Sequence, residues 1–144
     1  MITTRPMRPG NEADLSWVQP PRPALWWWAH PTLVAETDDG RLVGYASFTI
    51  SLPPTTALAA VQPREIGWGQ GMAVHPDFQG QGIGKQLNAA RVAVMRQLGL
   101  TFFIGHARPG HGAMIRLFTQ HGWEAMVTCE QEDGTALTYY MGAL

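Results

Sequence analysis

The chain has 144 residues with a formal net charge of −1, enough for one domain that buries about two-thirds of its unfolded surface around one core. A hydrophobic fraction of 45% argues against disorder, and a charged fraction of only 15% provides none of the basic field that nucleic-acid binding needs. The lone Cys129 excludes an intramolecular disulfide and a CxxC metal knuckle. No apolar run reads as a secretory signal or a membrane span, so the expected setting is the cytoplasm, with no membrane partner.

Ile2 to Met7 reads as a short strand ended by the turn Arg8-Pro9-Gly10, and Asn11 or Asp14 as the cap of a short helix that Pro20, Pro21 and Pro23 break. Trp26, Trp27 and Trp28 cannot all face one side of any regular element. They read either as a buried plug of the core or as the wall of an apolar acceptor pocket. Thr32 to Thr37 and Arg41 to Leu52 are predicted strands joined by a hairpin at Asp38-Asp39-Gly40. A loop follows over residues 53–63, then a strand from Glu65 to Val74 ended by His75-Pro76-Asp77.

Ile83, Leu87, Ala90, Val94 and Leu98 keep helical spacing, which predicts a helix from Gly82 or Ile83 to Leu98 stopped by Gly99, with Arg91, Arg96 and Gln97 facing out. Leu100 to His106 is a continuously apolar run, expected to be a strand buried on both faces. A second helix is predicted from Gly112 to His121, with Gly122 as its stop. Trp123 to Glu130 and Ala136 to Met141 then pair as a hairpin across Asp133-Gly134. This order predicts an α+β (α/β three-layer) fold with helices on a mostly antiparallel sheet.

Six of the sixteen glycines fall between Gly67 and Gly84, which marks where the chemistry is expected. Gly67, Gly69 and Gly71 recur at every second position, so a regular strand would present all three on one bare face. Close approach of a ligand and tight packing under a helix are the two readings of such a face. Directly downstream, Gln79-Gly80-Gln81-Gly82-Ile83-Gly84-Lys85 opens a helix. Glycines there aim successive N–H groups into one concavity, and the helix start adds partial positive charge, which together suit phosphate oxygens. A Walker A loop would need glycine at Gln79 and Ser or Thr at Gln86, and a GxGxxG turn would need glycine at Lys85, so neither motif is present.

The run from Met72 to Leu87, MAVHPDFQGQGIGKQL, resembles the acetyl-CoA signature of the GNAT N-acetyltransferases: a strand ending in Val-x-Pro, then Gln/Arg-x-x-Gly-x-Gly/Ala and a helix. The resemblance covers about Thr32 to Leu144 and extends loosely to residues 1–31 as a shortened N-terminal part of one domain over 1–144. It implies a GNAT fold whose sheet splays between the glycine-bearing strand and the next, with helices on both faces and acetyl-CoA bound in the split. By the same resemblance, Met72, Ala73 and Val74 bond the pantetheine arm and polarise the thioester. Gln79, Gly80, Gln81, Gly82, Ile83, Gly84 and Lys85 cradle the pyrophosphate.

The implied reaction moves an acetyl group to a primary amine by direct attack through a tetrahedral intermediate. The acceptor is a small-molecule or peptide amine, and the family often forms homodimers. Family members often carry Asn near the start of the second helix and a proton-donating Tyr within it; those positions fall on His111 and Phe118. His111 is thus a candidate acid, or a helix cap, and both residues are candidate CoA contacts. Tyr139 and Tyr140 are alternative donors, of which only one can face a site. Glu65 is the first candidate base, with His75 and His106 behind it. The histidines lack metal-ligand spacing, and no metal is assigned. Phenylalanine in the donor position motivates the alternative of a non-catalytic acyl-CoA-binding or regulatory module.

Overall fold

A computed structural model describes residues 1–20, 22–50 and 66–144, apart from the side chains of Ala24 and Trp28. The predicted loop over 53–63 and the candidate base Glu65 lie outside the described residues. The elements are β1 (Thr3–Pro6), α1 (Asn11–Asp14), α2 (Ala24–Ala29), β2 (Thr32–Glu36), β3 (Leu42–Ile50), β4 (Ile66–Val74), α3 (Ile83–Gln97), β5 (Phe102–Ala107), α4 (Gly112–Gln120), β6 (Glu124–Glu130) and β7 (Ala136–Ala143). Short 3₁₀ turns cover Leu15–Trp17 and Pro76–Phe78. Glycines at φ near +80 to +90° end or join elements where expected: Gly40 and Gly134 in hairpins, Gly99 and Gly122 after helices. The expected side-chain cap of α1 is absent, because Gly10 holds the cap position and Asn11 Oδ1 instead accepts the Arg8 N–H at 2.8 Å.

The chain divides into two compact units, the first comprising Met1–Thr49 and Gln70–Val94, the second Ile50–Gly69 and Met95–Leu144. In the first unit β1 pairs with β2 and β2 with β3, all antiparallel, and β4 follows in the strand order. Period-2 alternation, reset by an irregularity in the β2–β3 register at Ala35/Glu36, sorts the side chains between two faces. Val34, Leu42 and Tyr45 join Leu15, Val18 and Trp27 on one face, while Ala35, Val43 and Ala46 join Ile83 and Leu87 of α3 on the other. Helices therefore cover both faces of these strands.

The buried stripe of α3 runs through Ile83, Leu87, Arg91 and Met95. Arg91 was expected to face out, yet it is 2% exposed. Its guanidinium donates to the Ser47 carbonyl at 3.2 Å and to Asn88 Oδ1 at 2.8 Å, and burial pulls its pKa down to about 10. Hydrophobic spacing alone misplaced it, because position i+4 from Leu87 belongs to the core stripe whatever residue occupies it. Arg91→Ala should cost about 2–4 kcal/mol in denaturant melts, since two buried acceptors lose their donor. The double variant Arg91→Met/Asn88→Leu should recover much of that loss.

In the second unit the first residues of β4 pair in parallel with β5, from Ile66↔Phe102 to Trp68↔Ile104. β5 pairs antiparallel with β7, and β7 with β6. Phe103, Phe118, Trp123 and Tyr140 form the interior, with Phe103 and Trp123 stacked at 4.0 Å. Gly142 is required there, because a Cβ would sit 2.3 Å from the Trp123 ring. The expectation that β5 is buried on both faces holds only in part: Phe103 and Ile104 are buried, but Phe102 at the strand start is 44% exposed. Strand β6 is exposed along its length and ends the strand order, and a bulge at Ala125/Val127 interrupts its ladder, a common device at sheet edges.

Candidate functional site

The turn after β4 is built by its own side chains. His75 Nδ1 accepts the Asp77 N–H at 3.1 Å and its ring lies 3.8 Å from that of Trp17, so this histidine caps the Pro76–Phe78 turn. Gln79 Nε2 donates to the Val74 carbonyl at 2.9 Å and ties the loop back to the strand end.

Beyond Gln79 the backbone turns through Gly80 (φ 80°) and Gly82 (φ 81°) into the fifteen residues of α3. The first helical bond is Gln86 N–H to the Gly82 carbonyl at 3.0 Å. Among the described residues, the N–H groups of Gly80, Gln81, Gly82, Ile83, Gly84 and Lys85 donate to no acceptor. A Cβ at Gly80, Gly82 or Gly84 would meet nothing within 4 Å. Glycine is thus needed at Gly80 and Gly82 for the left-handed turn, and the space beside all three is open. Consecutive unpaired donors at the positive end of a long helix hold an anion with several oxygens.

In β4 the His75 N–H reaches the Val43 carbonyl at 2.8 Å, and the Ala73 carbonyl lies 2.9 Å from where a Gly44 Cβ would stand. Ala73 and His75 therefore turn their backbone polar groups toward β3. By alternation, those of Met72 and Val74 point to the opposite edge. The parallel ladder with β5 ends at Trp68, while both strands continue. Val74 gives its carbonyl to Gln79, which leaves the Met72 groups and the Val74 N–H along that edge. The side chains of Met72 and Val74 pack on the α3 cluster, and Ala73 packs on the opposite one.

Gly67 and Gly71 do not leave the bare face that the spacing of the strand glycines predicts. A Cβ at Gly67 would strike Met95 Sδ at 2.8 Å, whereas one at Gly71 would meet the Tyr45 hydroxyl at 3.2 Å and the Trp26 ring at 3.5 Å. Different neighbours fill the space at each, so tight packing explains both.

In the second unit His111 is the N-cap of α4, its Nδ1 accepting the Met114 N–H at 3.3 Å. This bond keeps the neutral ring's proton on Nε2, and forming the imidazolium would remove the cap. His111→Ala should cost about 1 kcal/mol in melts, whereas His111→Asn, which also caps, should keep both stability and turnover. Loss of turnover in a stable His111→Asn protein would restore the acid role. Phe118, expected at the cofactor, is an interior residue at 2% exposure, with its ring 5.2 Å from Tyr140 and 5.7 Å from Trp123. Tyr140 lies opposite Gly105, and Tyr139 opposite His106 with the rings 5.8 Å apart, so the two tyrosines occupy opposite faces.

One cluster was not anticipated. Trp27 is 3% exposed and plugs the core, but the adjacent Trp26 is half-buried and carries the Arg22 guanidinium 3.9 Å above its ring. Arg22 and the Tyr45 hydroxyl share Gln19 Oε1. Burial raises the Tyr45 pKa above its ordinary value, with Arg22 opposing, so the phenol is neutral near pH 7. Arg22 stands among prolines, where no periodicity points to it. A recess of about 420 Å³ lined by Asp14, Trp17, Gly40, Arg41 and Leu42 contains none of the expected site residues.

Residues 6–123 match the family model described as the acetyltransferase (GNAT) family. Among solved structures, the chain is similar to yncA of Salmonella typhimurium with its cofactor acetyl-CoA (20% identity, TM-score 0.78, covering 99% of this chain and 94% of that one). It is also similar to the ribosomal-protein-S18-alanine N-acetyltransferase of Escherichia coli (15% identity, TM-score 0.78, 99% and 94%). A third is the N-acetyltransferase of Staphylococcus aureus Mu50 (16% identity, TM-score 0.79, 99% and 98%). No curated protein matches the chain. At these identities the neighbours establish the α+β fold, and the family match over most of the sequence establishes the rest: the chain belongs to the GNAT acetyltransferase family.

Proposed function

We propose that the protein is an acyl-CoA-dependent N-acetyltransferase that moves the acetyl group of acetyl-CoA to a primary amine by direct attack on the thioester carbonyl. The observation that carries this reading is the row of unpaired N–H groups from Gly80 to Lys85 at the start of α3. Their donor chemistry and the open space beside the glycines fit a pyrophosphate. The outward backbone groups of Met72 and Val74 fit an extended amide-bearing arm laid along β4, with the Met72 N–H as the donor for the thioester oxygen.

Direct attack needs a neutral amine. We assign Glu65, the residue before Ile66 in the sequence, as the base, acting directly or through water, and solvent as the proton source for the departing thiolate. His75 and His111 are engaged as caps through Nδ1, which leaves less for them to do. Glu65→Gln should lower kcat/KM by about 10²-fold or more and flatten its acid limb. A rate unchanged across pH would remove Glu65 from this role.

A thiol-release assay with acetyl-CoA and a panel of primary amines tests the reading as a whole. Release that depends on an amine supports it; binding of acetyl-CoA without release from any amine supports the non-catalytic module. Phe118 no longer favours that module, because a core residue says nothing about the proton donor.

A further inference from the structure

Trp68 carries a hydrogen-bond donor that the described fold leaves unused. Its indole Nε1–H is buried and donates to no acceptor among the described residues. A donor in that state has given up its bonds to water without replacement, and native folds keep few such groups. The residue as a whole is only half-buried, so a ligand can reach its surroundings.

The second unit determines what kind of acceptor suits that donor. Trp68 is the last residue of β4 paired with β5, opposite Ile104. Gly67, one residue earlier, pairs with Phe103, and Met95 and Leu100 fill the space beside it on the face where Phe103 stacks on Trp123. Trp68 and Ile104 therefore lie on the other face. The ladder of β5 with β7 continues that face through Met141, opposite Ile104, and through Tyr139, opposite His106. Ile104 and Met141, the cross-strand positions in line with Trp68, offer no oxygen or nitrogen, so a water on the indole would find there none of the further polar partners that hold a buried water. Of these residues His106 alone can carry a charge near neutral pH, which suits an uncharged oxygen such as an amide carbonyl better than a carboxylate or phosphate. Trp68 also precedes by four residues Met72, on the strand assigned above to the thioester.

We propose that the Trp68 indole N–H positions the acceptor substrate by donating to a neutral oxygen on it, and that the amine acetylated by this protein carries an amide-type carbonyl. The assignment rests on the acetyltransferase reading above.

The test uses the intact protein and two matched series of primary amines: ω-amino amides of increasing chain length, beginning with glycinamide, and alkylamines in which a methyl group replaces the amide. With CoA bound, which permits binding without turnover, the indole Nε1–H resonance of Trp68 in the wild type should move downfield with at least one amide and stay in place with its alkylamine. The resonance is assigned through its own ring, so a Trp68→Phe protein that fails to fold leaves this arm decisive. In thiol release with acetyl-CoA, the same amide should have a kcat/KM about tenfold above that of its alkylamine, and Trp68→Phe, which keeps a ring but removes the N–H, should bring the ratio to about 1. A Trp68 that served packing alone would lower the melting temperature on substitution and leave the ratio as it was. A resonance that moves with no amide, one that moves equally with both members of every pair, or a ratio that survives Trp68→Phe overturns the proposal. The two readings fail separately. Amide-selective movement without thiol release from any amine sinks the acetyltransferase reading alone, and release from amines with the Trp68 resonance unmoved sinks the Trp68 assignment alone.

Discussion

Gly82→Glu should weaken acetyl-CoA binding by a hundredfold or more, about 2.7 kcal/mol in calorimetry. Two effects act together. Gly82 has φ 81°, a conformation that costs a side-chain-bearing residue about 1–3 kcal/mol, so the loop relaxes away from the shape that gathers its N–H groups. The new carboxylate also competes for those donors and repels the incoming phosphates. A Cβ there meets nothing within 4 Å, so the loss would not come from a clash. The controls separate the causes. Gly80→Ala, at φ 80°, imposes strain without charge and should give an intermediate loss. Gly84→Ala, where φ is not positive and the space is equally open, should change affinity by no more than about threefold. Equal binding in Gly82→Glu and wild type would remove the loop from ligand recognition.

Phe118→Ala should destabilise the protein by about 3–5 kcal/mol, a fall in Tm of roughly 10 °C or more. Phe118 is enclosed by Phe103, Trp123 and Tyr140, and its ring also lies over Gly105, where an added Cβ would be 3.0 Å from it. Removing the ring leaves a cavity among large stacked side chains that cannot collapse without losing their own contacts. Phe118→Tyr is the informative companion. Although family members often carry tyrosine here, the added hydroxyl would enter an aromatic interior, cost about 1–3 kcal/mol and not raise turnover. A Phe118→Tyr protein of undiminished stability and faster thiol release would show that this position faces the reacting groups after all.

Much of this architecture was legible because local chemistry and global fold agree. Asp39-Gly40 demanded a hairpin, Gly99 and Gly122 stopped helices, and Gly80 and Gly82 turned the chain into the start of α3, each a backbone property encoded within a few residues. Tertiary context hid the rest. Arg91 sits at a core position of α3 because the Ser47 carbonyl of β3 and Asn88, one turn earlier on the same helix, supply acceptors, which hydropathy cannot register. Gly67 and Gly71 looked equivalent by parity but meet Met95 in one case and Tyr45 with Trp26 in the other. Trp26 and Trp27 carry the same side chain, and only packing separates the plug from the platform. His111 reads from sequence as acid or cap, and only the bond it accepts from the Met114 N–H shows the cap.

The central claim, that the N–H groups of Gly80 to Lys85 receive the pyrophosphate of acetyl-CoA, is tested most directly by amide chemical shifts during titration with acetyl-CoA and, separately, with acetyl-pantetheine, which lacks that group. Acetyl-CoA should move the amide protons of Gly80, Gln81, Gly82, Ile83, Gly84 and Lys85 downfield as charge-assisted hydrogen bonds form, and acetyl-pantetheine should leave them in place. Saturation by acetyl-CoA with these amides unmoved, or the same movement with acetyl-pantetheine, would contradict the account.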